Sequence, residues 1–469
     1  SDLTIDYCNL SMPQSIDLRL HGTVRQLLSD KKRNGQIHYA TTLKDVRFAN
    51  NLIPHGLRQT IRIPNNIQVG GDISFSGSTY TLTRNTVYHG GGSMAFSGSF
   101  SARSMSYAGR LQANRFPLHA FMPSMNLSPL TATFNIKGHG TDFMSGGTNV
   151  TARGAIASFA YDGIPLDGVS LDADLKGTQV HAVLLSDNRW LKANLNITAA
   201  KNGHETSVAL NGNIDQFSLN LGKTLKTGEN PTALTLIMGI DLQARFNDKT
   251  NAMAVAGTID PLNAITSSMG FPGGSLQIDF FTDDHSTNAR LSSGDMSIQL
   301  NSPESVSGII SGYSECAALL SEQFAEARLN ADTLRTLLPN LDLTVRATRN
   351  NPVQQFLAMQ GYAFDSLYAH VNTGKDSGLN ADIDLRSFKA GAVLLEHSSV
   401  KIVQDKEHLT LNASVKNSKR SNPNRFTAVI NGEMLGDGFS VLADFVDAKG
   451  KRGLNIGTRA SFSSQGDMT

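Results

Sequence analysis

The residues that come nearest to a catalytic grouping are Asp283, Asp284, His285 and Ser286, which place carboxylate, imidazole and hydroxyl groups side by side. A serine hydrolase needs these groups to converge on one hydroxyl from separate parts of the chain, often with the serine on a Gly-x-Ser-x-Gly turn. Neighbours on a turn rarely converge in this way, and the sequence has no such motif. We therefore interpret residues 283–286 as a turn and expect no catalytic residue there.

Two pairs of carboxylates, Asp172 with Asp174 and Asp382 with Asp384, are the next candidates, because paired carboxylates act as acid and base in glycosidases. In both pairs the two acidic residues alternate with apolar residues. Residues two apart on a strand share a face, so this pattern predicts the solvent face of a sheet. We expect neither pair to be catalytic and the protein not to be an enzyme.

The chain has 12 histidines and 2 cysteines, but none lies at the spacing of a helical or finger-type metal site. The glycine clusters lack both the Lys-Ser/Thr of a P-loop and the spacing of a dinucleotide fingerprint. Lys and Arg number 41 against 40 Asp and Glu, a net charge of +1, which offers no basic surface for a phosphate backbone. The sequence thus predicts no metal, no cofactor and no nucleic-acid partner.

Alternation of apolar and polar residues with a period of two dominates the chain, as a strand with one buried face requires. The clearest segments are residues 169–175, 191–197, 234–246, 379–385 and 409–415. The low content of charged residues, 17%, and the 42 glycines also favour strands and turns. The dipeptides Asp162-Gly163, Asn211-Gly212 and Asn431-Gly432 predict tight hairpin turns. The sequence therefore predicts a long antiparallel meander.

A single sheet built from these segments would be very wide. About two dozen strands at about 4.8 Å per strand would extend for about 100 Å or more. The two or three helices that the sequence predicts cannot cover an apolar face of that width. That face must then fold into a sandwich or barrel, wind into a β-helix or curl into a trough. We expect a mainly β protein, an elongated antiparallel sheet plus a few short helices, and the alternation by itself leaves these ways of covering its apolar face open.

The apolar residues of the alternating segments are the candidate lining of that groove, and apolarity alone assigns them to its inner face. They are Leu171, Leu175, Leu195, Leu236, Met238, Ile240, Leu242, Ile383 and Leu411. Each methylene removed from water contributes about 0.8 kcal/mol, so such a groove can shield acyl chains without specific contacts. An apolar molecule is therefore the kind of partner that such a groove would bind.

Helical periodicity is clearest after residue 312. Apolar residues at spacings of three and four, among them Leu320, Phe324 and Leu334, predict an amphipathic helix over residues 314–338. A second, short helix is predicted to begin at Pro352, with Asn351 as its cap. We accordingly divide the chain into a groove-forming β region (1–312), a helical insert or cap (313–361) and a continuation of the β region (362–469).

The chain contains no apolar run long enough to span a membrane as a helix, and it begins without the basic and apolar parts of a signal peptide. The sequence begins and ends within the alternating pattern. We expect a part of a longer protein, with any targeting segment or membrane anchor outside it.

Three motifs follow one another in residues 103–199: Leu111-Gln-Ala-Asn-Arg-Phe-Pro-Leu-His-Ala-Phe-Met-Pro123, Leu130-Thr-Ala-Thr-Phe-Asn-Ile-Lys-Gly-His-Gly-Thr-Asp142 and Tyr161-Asp-Gly-Ile-Pro-Leu-Asp-Gly-Val-Ser-Leu-Asp-Ala-Asp-Leu175. In residues 319–416 the amphipathic helix is followed by Leu338-Pro-Asn-Leu-Asp-Leu343, Asn350-Asn-Pro-Val-Gln-Gln-Phe-Leu357 and further alternating strands. In this order the motifs resemble the TamB-type translocation and assembly module family of the AsmA-like superfamily, and specifically its members from Bacteroidetes.

The resemblance implies a periplasmic protein, tethered to the inner membrane by a helix outside this sequence. Its fold would be an elongated, highly twisted antiparallel sheet that curls into a half-pipe with an apolar groove, called a β-taco, and phospholipid acyl chains would be the partners of that groove. It also implies a bridge-like conduit for phospholipid between the inner and outer membranes that supports outer-membrane biogenesis. The family's C-terminal domain, which meets the outer-membrane assembly machinery, is not identifiable in this sequence. Contact with that machinery is therefore expected through other parts of the full protein.

Two other classes of protein stay open. A structural scaffold or surface adhesin built on a β-helix or β-sandwich would carry no lipid. An adhesin of this kind predicts asparagine or aromatic ladders at a fixed period, whereas this chain has 1 Trp and no constant repeat length. A polysaccharide-degrading enzyme on a β-helix would need acidic and basic residues to converge in space, and no local motif supports such a cluster.

Overall fold

The computed structural model describes residues 2–29, 31–46, 50–51, 53, 60–142, 144–220, 233–265, 270–326, 330–359, 361–391, 393–406, 408–417, 426–435, 438–447 and 449–461. Within these residues the chain is mainly β, as the alternation predicts, and it has four helices.

The strands in chain order are β1 (Leu3–Met12), β2 (Ile16–Arg25), β3 (Asn34–Leu43), β4 (Ile67–Ser76), β5 (Thr79–His89), β6 (Gly92–Ser101), β7 (Ser106–Phe116), β8 (Leu130–His139), β9 (Asn149–Ser158), β10 (Ala160–Tyr161), β11 (Ile164–Pro165), β12 (Val169–Lys176), β13 (Gln179–Asp187), β14 (Leu191–Asn202), β15 (Glu205–Asn220), β16 (Ala233–Asn247), β17 (Ala252–Ile265), β18 (Gly270–Pro272), β19 (Leu276–Thr282), β20 (Thr287–Ser293), β21 (Met296–Ser302), β22 (Leu341–Ala347), β23 (Tyr362–Ala363), β24 (Ser366–Gly374), β25 (Gly378–Ala390), β26 (Val393–Asp405), β27 (His408–Asn417), β28 (Phe426–Leu435), β29 (Gly438–Asp447) and β30 (Arg452–Ser461). The helices are α1 (Leu118–Phe121), α2 (Val306–Ala325), α3 (Ala331–Leu337) and α4 (Pro352–Met359).

Twenty-eight of these strands belong to one large antiparallel sheet, and β10 and β11 form a separate hairpin. The described pairings follow chain order from β1 through β9. β12 then pairs with β9, β19 pairs with β17 beyond the short β18, and β24 pairs with β22. The predicted antiparallel meander is confirmed.

The register of the strands collects apolar residues on one side of the sheet. Ile383 on β25 is opposite Val400 on β26, which is opposite Ala413 on β27. The adjacent pair, Asp382 and Lys401, projects to the other side, because successive residues of a strand alternate between faces. Each strand thus adds one residue to an apolar row that crosses several strands.

The glycine dipeptides predicted as hairpin turns take two different places. Asp162-Gly163 forms the turn between β10 and β11, with φ angles of 49° and 79°, as predicted. Asn211-Gly212 and Asn431-Gly432 lie inside β15 and β28, so these two predictions are wrong. At Gly212 the neighbouring backbone leaves no room for a side chain: a Cβ would lie 2.1 Å from the carbonyl oxygen of Asn194.

Two compact units divide the chain: Ser1–Gly203 with Val208–Ile237, and His204–Ser207 with Met238–Thr469. Helix α1 belongs to the first unit, and α2, α3 and α4 belong to the second. The stretch 313–361, predicted as a helical insert or cap, also contains β22, which pairs with β21 and β24.

In the first unit, a buried core lies where α1 meets the ends of β7 and β8. Ala113, Phe116, Leu130 and Ala132 are buried together, and Phe121 of α1 packs against them. The rings of Phe116 and Phe121 stack with their centroids 5.0 Å apart. The segment that carries α1 therefore covers part of the apolar face.

In the second unit, α4 covers part of the apolar face in a similar way. Met296, Ala347 and Phe364 are buried, and Leu357 of α4 packs against them. The helix begins at Pro352 behind Asn351, whose side-chain oxygen accepts a hydrogen bond of 2.9 Å from the N–H of Gln354. The predicted start and cap of this helix are confirmed.

Residues 314–338 are predicted as one helix, but residues 314–325 belong to α2 and residues 331–337 to α3, while residues 327–329 lie outside the described residues. Helix α2 begins earlier, behind a Ser305 cap, and α3 begins behind Asn330. Asn330 has an extended backbone (φ −128°, ψ 100°), and its N–H donates to the buried side chain of Gln323 at 2.8 Å, so it interrupts the helical hydrogen bonds. Phe324, one of the apolar residues on which the helix prediction rests, is 62% exposed.

The connection into α4 is held by the carboxylate of Asp295. It accepts hydrogen bonds from the N–H and hydroxyl of Thr348, from the N–H of Asn350 at 2.7 Å and from the side-chain amide of Asn351 at 2.8 Å. Partial burial raises the pKa of Asp295, but these hydrogen bonds outweigh the burial and lower it to about 2. The folded state therefore favours the charged carboxylate.

We expect Asp295→Asn to lower the free energy of unfolding by about 1 to 3 kcal/mol at neutral pH, because a charged acceptor of several hydrogen bonds is lost. The pKa of Asp295 is lowered by folding from 3.8 to about 2, so its stabilising effect is present above the unfolded pKa and disappears as the pH falls through this window. Urea unfolding at about pH 7 and about pH 2 measures the difference.

The control is Asp376→Asn on the exposed turn after β24, which should leave the unfolding free energy nearly unchanged at both pH values. An Asp295→Asn effect of equal size at both pH values would contradict the assigned role of the carboxylate.

We expect Phe116→Ala to lower the free energy of unfolding by about 3 to 5 kcal/mol, because a fully packed ring is replaced by a cavity. Phe116 is 2% exposed, whereas Phe134, on the neighbouring strand, is 41% exposed. Phe134→Ala is the matched comparison and should lower the free energy of unfolding by clearly less in the same urea titration. Equal costs would show that α1 does not seal a core at Phe116.

Candidate functional site

An apolar pocket of about 730 Å³ lies in the first unit. Its lining comes from β4, β5, β6, β7, β8, β9 and β12, which are neighbours in the sheet. Its apolar lining includes Ile73, Leu82, Phe96, Ile136 and Leu171. Every lining residue is on a strand, so the pocket is formed by the apolar face of the sheet and not by loops.

Strand register brings the lining side chains together. Phe96 on β6 is opposite Leu111 on β7, and Leu111 is opposite Phe134 on β8. Phe134 is opposite Gly154 on β9, and Gly154 is opposite Leu171 on β12. Opposed residues of antiparallel strands project to the same side of the sheet. These positions therefore form one row across the pocket, the Phe96–Leu171 row.

Glycines allow aromatic rings to lie along the sheet instead of standing above it. A Cβ added to Gly154 would lie 2.7 Å from Cδ1 of Phe134, and a Cβ added to Gly138 would lie 2.8 Å from the hydroxyl of Tyr107. Each ring thus occupies the place of the side chain that the glycine lacks. The space above the rings stays open, and this space is the pocket.

Several large apolar residues of the lining remain exposed. Phe100 is 37% exposed, Phe134 41%, Ile136 40% and Leu171 40%. Scattered exposed apolar residues are common on proteins, but a contiguous apolar patch marks a ligand or partner surface. We therefore take this pocket as the candidate functional site, and the interaction it offers is apolar contact.

Three of the residues predicted to line a groove lie on β12 and β14, in or near this pocket. Leu171 lines it. Leu195 continues the same row, because it is opposite Leu184 and Leu184 is opposite Leu171. Leu175 shares a face of β12 with Leu171 but is buried, at 9% exposure. The structure thus brings Leu171 and Leu195 onto one row and places Leu175 in the packed part of the same face.

The other predicted lining residues lie outside the pocket. Those on β16 alternate along the strand and are half-buried: Leu236 in the first unit, and Met238, Ile240 and Leu242 in the second. In the second unit, Ile383 is opposite Val400 and Leu411 is opposite Ile402. Val400 and Ile402 are two residues apart on β26, so Ile383 and Leu411 project to the same side of the sheet.

Sequence reasoning missed most of the pocket lining. The missed residues include Ile73, Leu82, Phe96, Phe134 and Ile136. Their strands also alternate, but glycine takes some of the apolar positions, as in β6, where Gly98 lies between Phe96 and Phe100 on one face. The sequence signal that would have identified these strands is a glycine between aromatic residues, if that glycine is counted as part of the apolar face.

The carboxylates considered for catalysis make structural contacts. Asp172 accepts from Nε of Arg153 at 3.0 Å, and Asp174 accepts from the hydroxyl of Thr151 at 2.7 Å. Asp384 lies 2.5 Å from Nε2 of His397. These contacts cross from one strand to the next on the polar face, where the alternation predicts the carboxylates.

Residues 283–286 form the turn between β19 and β20, as predicted. The carboxylate of Asp283 accepts from the N–H groups of His285 and Ser286 at 2.9 and 2.7 Å and from the Ser286 hydroxyl at 3.0 Å. The backbone hydrogen bond from His285, followed by those from Ser286, lowers the pKa of Asp283 despite partial burial. Asp283 thus holds the turn by binding its backbone.

Two other features are absent from the part of the chain that the structure describes. In it, no group of three or more His, Cys, Asp or Glu side chains is arranged to hold a metal ion. None of its helices combines the length and the apolar character that crossing a bilayer requires.

Comparisons with known proteins assign no family. No family model, no curated protein and no solved structure matches this chain. The resemblance to TamB-type proteins therefore stays a prediction, and function has to be argued from the pocket and the rows of apolar residues.

Proposed function

We propose that this chain is part of a non-enzymatic cell-envelope protein that conducts phospholipid between the inner and outer membranes and so supports outer-membrane biogenesis. In this proposal the sheet curls into a half-pipe, and acyl chains lie in the apolar groove along its inner face. The observation that carries the proposal is the pocket of about 730 Å³, whose apolar lining is left exposed by the chain itself.

The energetics of acyl chains suit such a surface. Each methylene that leaves water contributes about 0.8 kcal/mol, without any need for directed contacts. In the pocket, Phe134, Ile136 and Leu171 expose large apolar areas that a bound chain would cover. Because the attraction is spread over many side chains, a bound chain can shift along the surface without breaking one dominant contact.

Rows of apolar residues in the second unit support the same proposal. Ile278 on β19 is opposite Leu291, which is opposite Ile298, which is opposite Val345 on β22. Helix α4, which packs through Leu357 against Met296, Ala347 and Phe364, covers only part of this face. Transport along a groove requires apolar surface on strand after strand, and such rows supply it within each unit.

The proposal also includes a cellular location. We place the protein in the periplasm, tethered to the inner membrane by a helix outside this sequence, as the resemblance implies. Contact with the outer-membrane assembly machinery would then be made by other parts of the full protein.

Mass spectrometry of organic extracts from the purified, folded chain tests the proposal directly, with a globular protein of similar size as the matched control. We expect phospholipid to be enriched at a reproducible stoichiometry. A clean extract from a well-folded sample would contradict the conduit and favour a scaffold without lipid cargo.

We expect Gly109→Trp to weaken binding of a fluorescent acyl probe by at least about tenfold. A Cβ at Gly109 would lie 3.4 Å from Cγ2 of Ile136 and 3.8 Å from the carbonyl oxygen of Ser97, which are acceptable contacts. Gly109 lines the pocket, so the indole would fill the space that the probe needs without forcing the backbone apart.

The control is Gln112→Trp, which places the same indole on the exposed polar face of the same strand. It should bind the probe like the unmodified protein. Equal binding by both variants, with circular dichroism unchanged, would show that the probe does not occupy the pocket.

A further inference from the structure

A second pocket, of about 550 Å³, lies on the polar face of the sheet in the first unit. On β3 and β4, Ile37 and Ile73 are opposite each other on the apolar face, so the next pair, His38 and Asp72, projects to the other side. His38 and Asp72 line the second pocket, whereas Ile73 lines the apolar one. The sheet itself therefore separates the two pockets.

Strand register gives the second pocket a floor of small residues. Arg19 on β2 is opposite Ala40 on β3, and Ala40 is opposite Gly70 on β4. All three line the pocket, and Arg19 is exposed. Because Ala40 and Gly70 carry almost no side chain, the space above β3 and β4 stays open beside the guanidinium group of Arg19.

A neighbouring row on the same face borders this floor. His21 on β2 is opposite His38 on β3, and their rings stack with the centroids 4.7 Å apart. Nδ1 of His38 contacts the carboxylate of Asp72, which is opposite it on β4. A protonated imidazole donates from both ring nitrogens, so His38 can bind Asp72 through Nδ1 and an anion in the pocket through Nε2.

A β-bulge brings Arg84 onto this face. Opposite the single residue Gly71 of β4, strand β5 has two residues, Arg84 and Asn85. Without the extra residue, alternation would place Arg84 on the apolar face with Leu82. Arg84 has a φ angle of 55°, which is uncommon for a residue other than glycine. Bulges of this kind redirect a side chain, and here Arg84 becomes part of the pocket lining.

Buried groups hold the bulge in place. Asn85 is fully buried; its side chain accepts from the hydroxyl of Tyr39 at 2.7 Å and donates to the carbonyl oxygen of Asp72 at 3.3 Å. A Cβ at Gly71 would lie 2.3 Å from Oδ1 of Asn85, so only glycine fits there. The position of Arg84 is therefore fixed by packing around it, as a preorganised binding group requires.

The Asp72 carboxylate anchors the guanidinium group of Arg84. Asp72 accepts from Nε of Arg84 at 2.6 Å and also contacts Nη2, which leaves Nη1 open, and the Arg84 side chain is 78% exposed. Burial raises the pKa of Asp72, but the hydrogen bonds from His38 and Arg84 lower it by more. Asp72 is thus a charged group that orients Arg84 without covering it.

Positive charge exceeds negative charge around the pocket. Among the described residues that line it, Asp72 is the only carboxylate, against the guanidinium groups of Arg19 and Arg84. Arg19 has no ion pair among the described residues, since Asp17, two residues before it, binds Lys44 at 2.6 Å instead. A guanidinium group binds phosphate oxygens particularly well, because its N–H groups match their geometry.

The two guanidinium groups can reach one ligand. That of Arg84 lies at Asp72 on β4, and Arg19 starts two strand spacings away on β2, about 10 Å between backbones. An arginine side chain covers most of that distance. A group above Ala40 and Gly70 therefore lies between the two cations.

We propose that this pocket, the Arg19–Arg84 pocket, binds the phosphate group of a soluble phosphate ester or of a lipid head group. Nη1 of Arg84 and the guanidinium of Arg19 donate to the phosphate oxygens above the small floor, and the His21–His38 stack borders the ligand. Two cations favour a doubly charged phosphate over a singly charged carboxylate. The inference does not depend on the proposed function, because the site lies on the other face of the sheet.

Isothermal titration calorimetry on the purified chain tests the inference with inorganic phosphate, glycerol 3-phosphate and acetate. We expect at least one of the two phosphates to bind with a Kd of about 1 mM or lower, and acetate to bind at least about tenfold more weakly. Flotation with phosphatidylcholine vesicles, with and without phosphatidic acid, then identifies the source. Binding that requires phosphatidic acid indicates a lipid head group, and phosphate binding without vesicle binding indicates a soluble ester.

Arg19→Gln should weaken phosphate binding by at least about tenfold and leave urea unfolding unchanged, because Arg19 has no ion pair to lose. The matched control is Arg25→Gln, which removes the same charge from an exposed position on the same strand and face but outside the pocket. It should bind phosphate like the unmodified protein.

Arg84→Lys keeps a cation beside Asp72 but removes Nη1, so it should also weaken phosphate binding while the protein stays folded. Unchanged binding in this variant would show that Arg84 only holds Asp72 and would overturn its part in the site.

The absence of binding by both phosphates at about 10 mM would overturn the inference. So would an equal loss of binding in Arg19→Gln and Arg25→Gln, since diffuse surface charge would then explain the affinity. Gly109→Trp, which fills the apolar pocket, should leave phosphate binding unchanged. Failure of the Arg19–Arg84 pocket and failure of the lipid conduit are therefore distinguishable.

Discussion

Cross-strand pairing in a fixed antiparallel register is the constraint on which the rest of this structure depends. Side chains alternate between the faces of each strand, so one register collects Phe96, Leu111, Phe134 and Leu171 into a single row, and a shift by one residue would scatter them. The same pairing places Asp172 and Arg153 together on the other face. The two faces therefore differ in chemistry along many strands.

The apolar face is partly covered and partly open, and different side chains decide which. Where α1 and α4 pack, large residues such as Phe116 and Phe364 are buried. In the pocket, glycines lie under aromatic rings, as Gly154 does under Phe134, so the surface stays apolar but unfilled. A face that is kept open in this way favours an apolar ligand over a self-contained core, which is the basis of the proposed lipid conduit.

The polar side chains also fall into two groups, those that have hydrogen-bond partners and those that are buried without one. The Asp295 carboxylate and the Asn351 side chain are fully engaged in holding the start of α4. By contrast, Nε of Arg33 and the hydroxyl of Tyr107 are buried without such partners among the described residues.

Local patterns in the sequence determined the mainly β class, the antiparallel meander, the turn at residues 283–286 and the Asn351 cap, because alternation and capping act between near neighbours. They did not determine whether Gly212 turns the chain or continues β15, since that depends on the approach of Asn194 from the next strand. Nor did they locate the pocket. Leu171 was found because its own strand alternates, whereas Phe96 and Phe134 line the pocket through their neighbours on other strands. Which apolar residues are covered and which are left open is decided by these long-range contacts, and only the tertiary structure contains them.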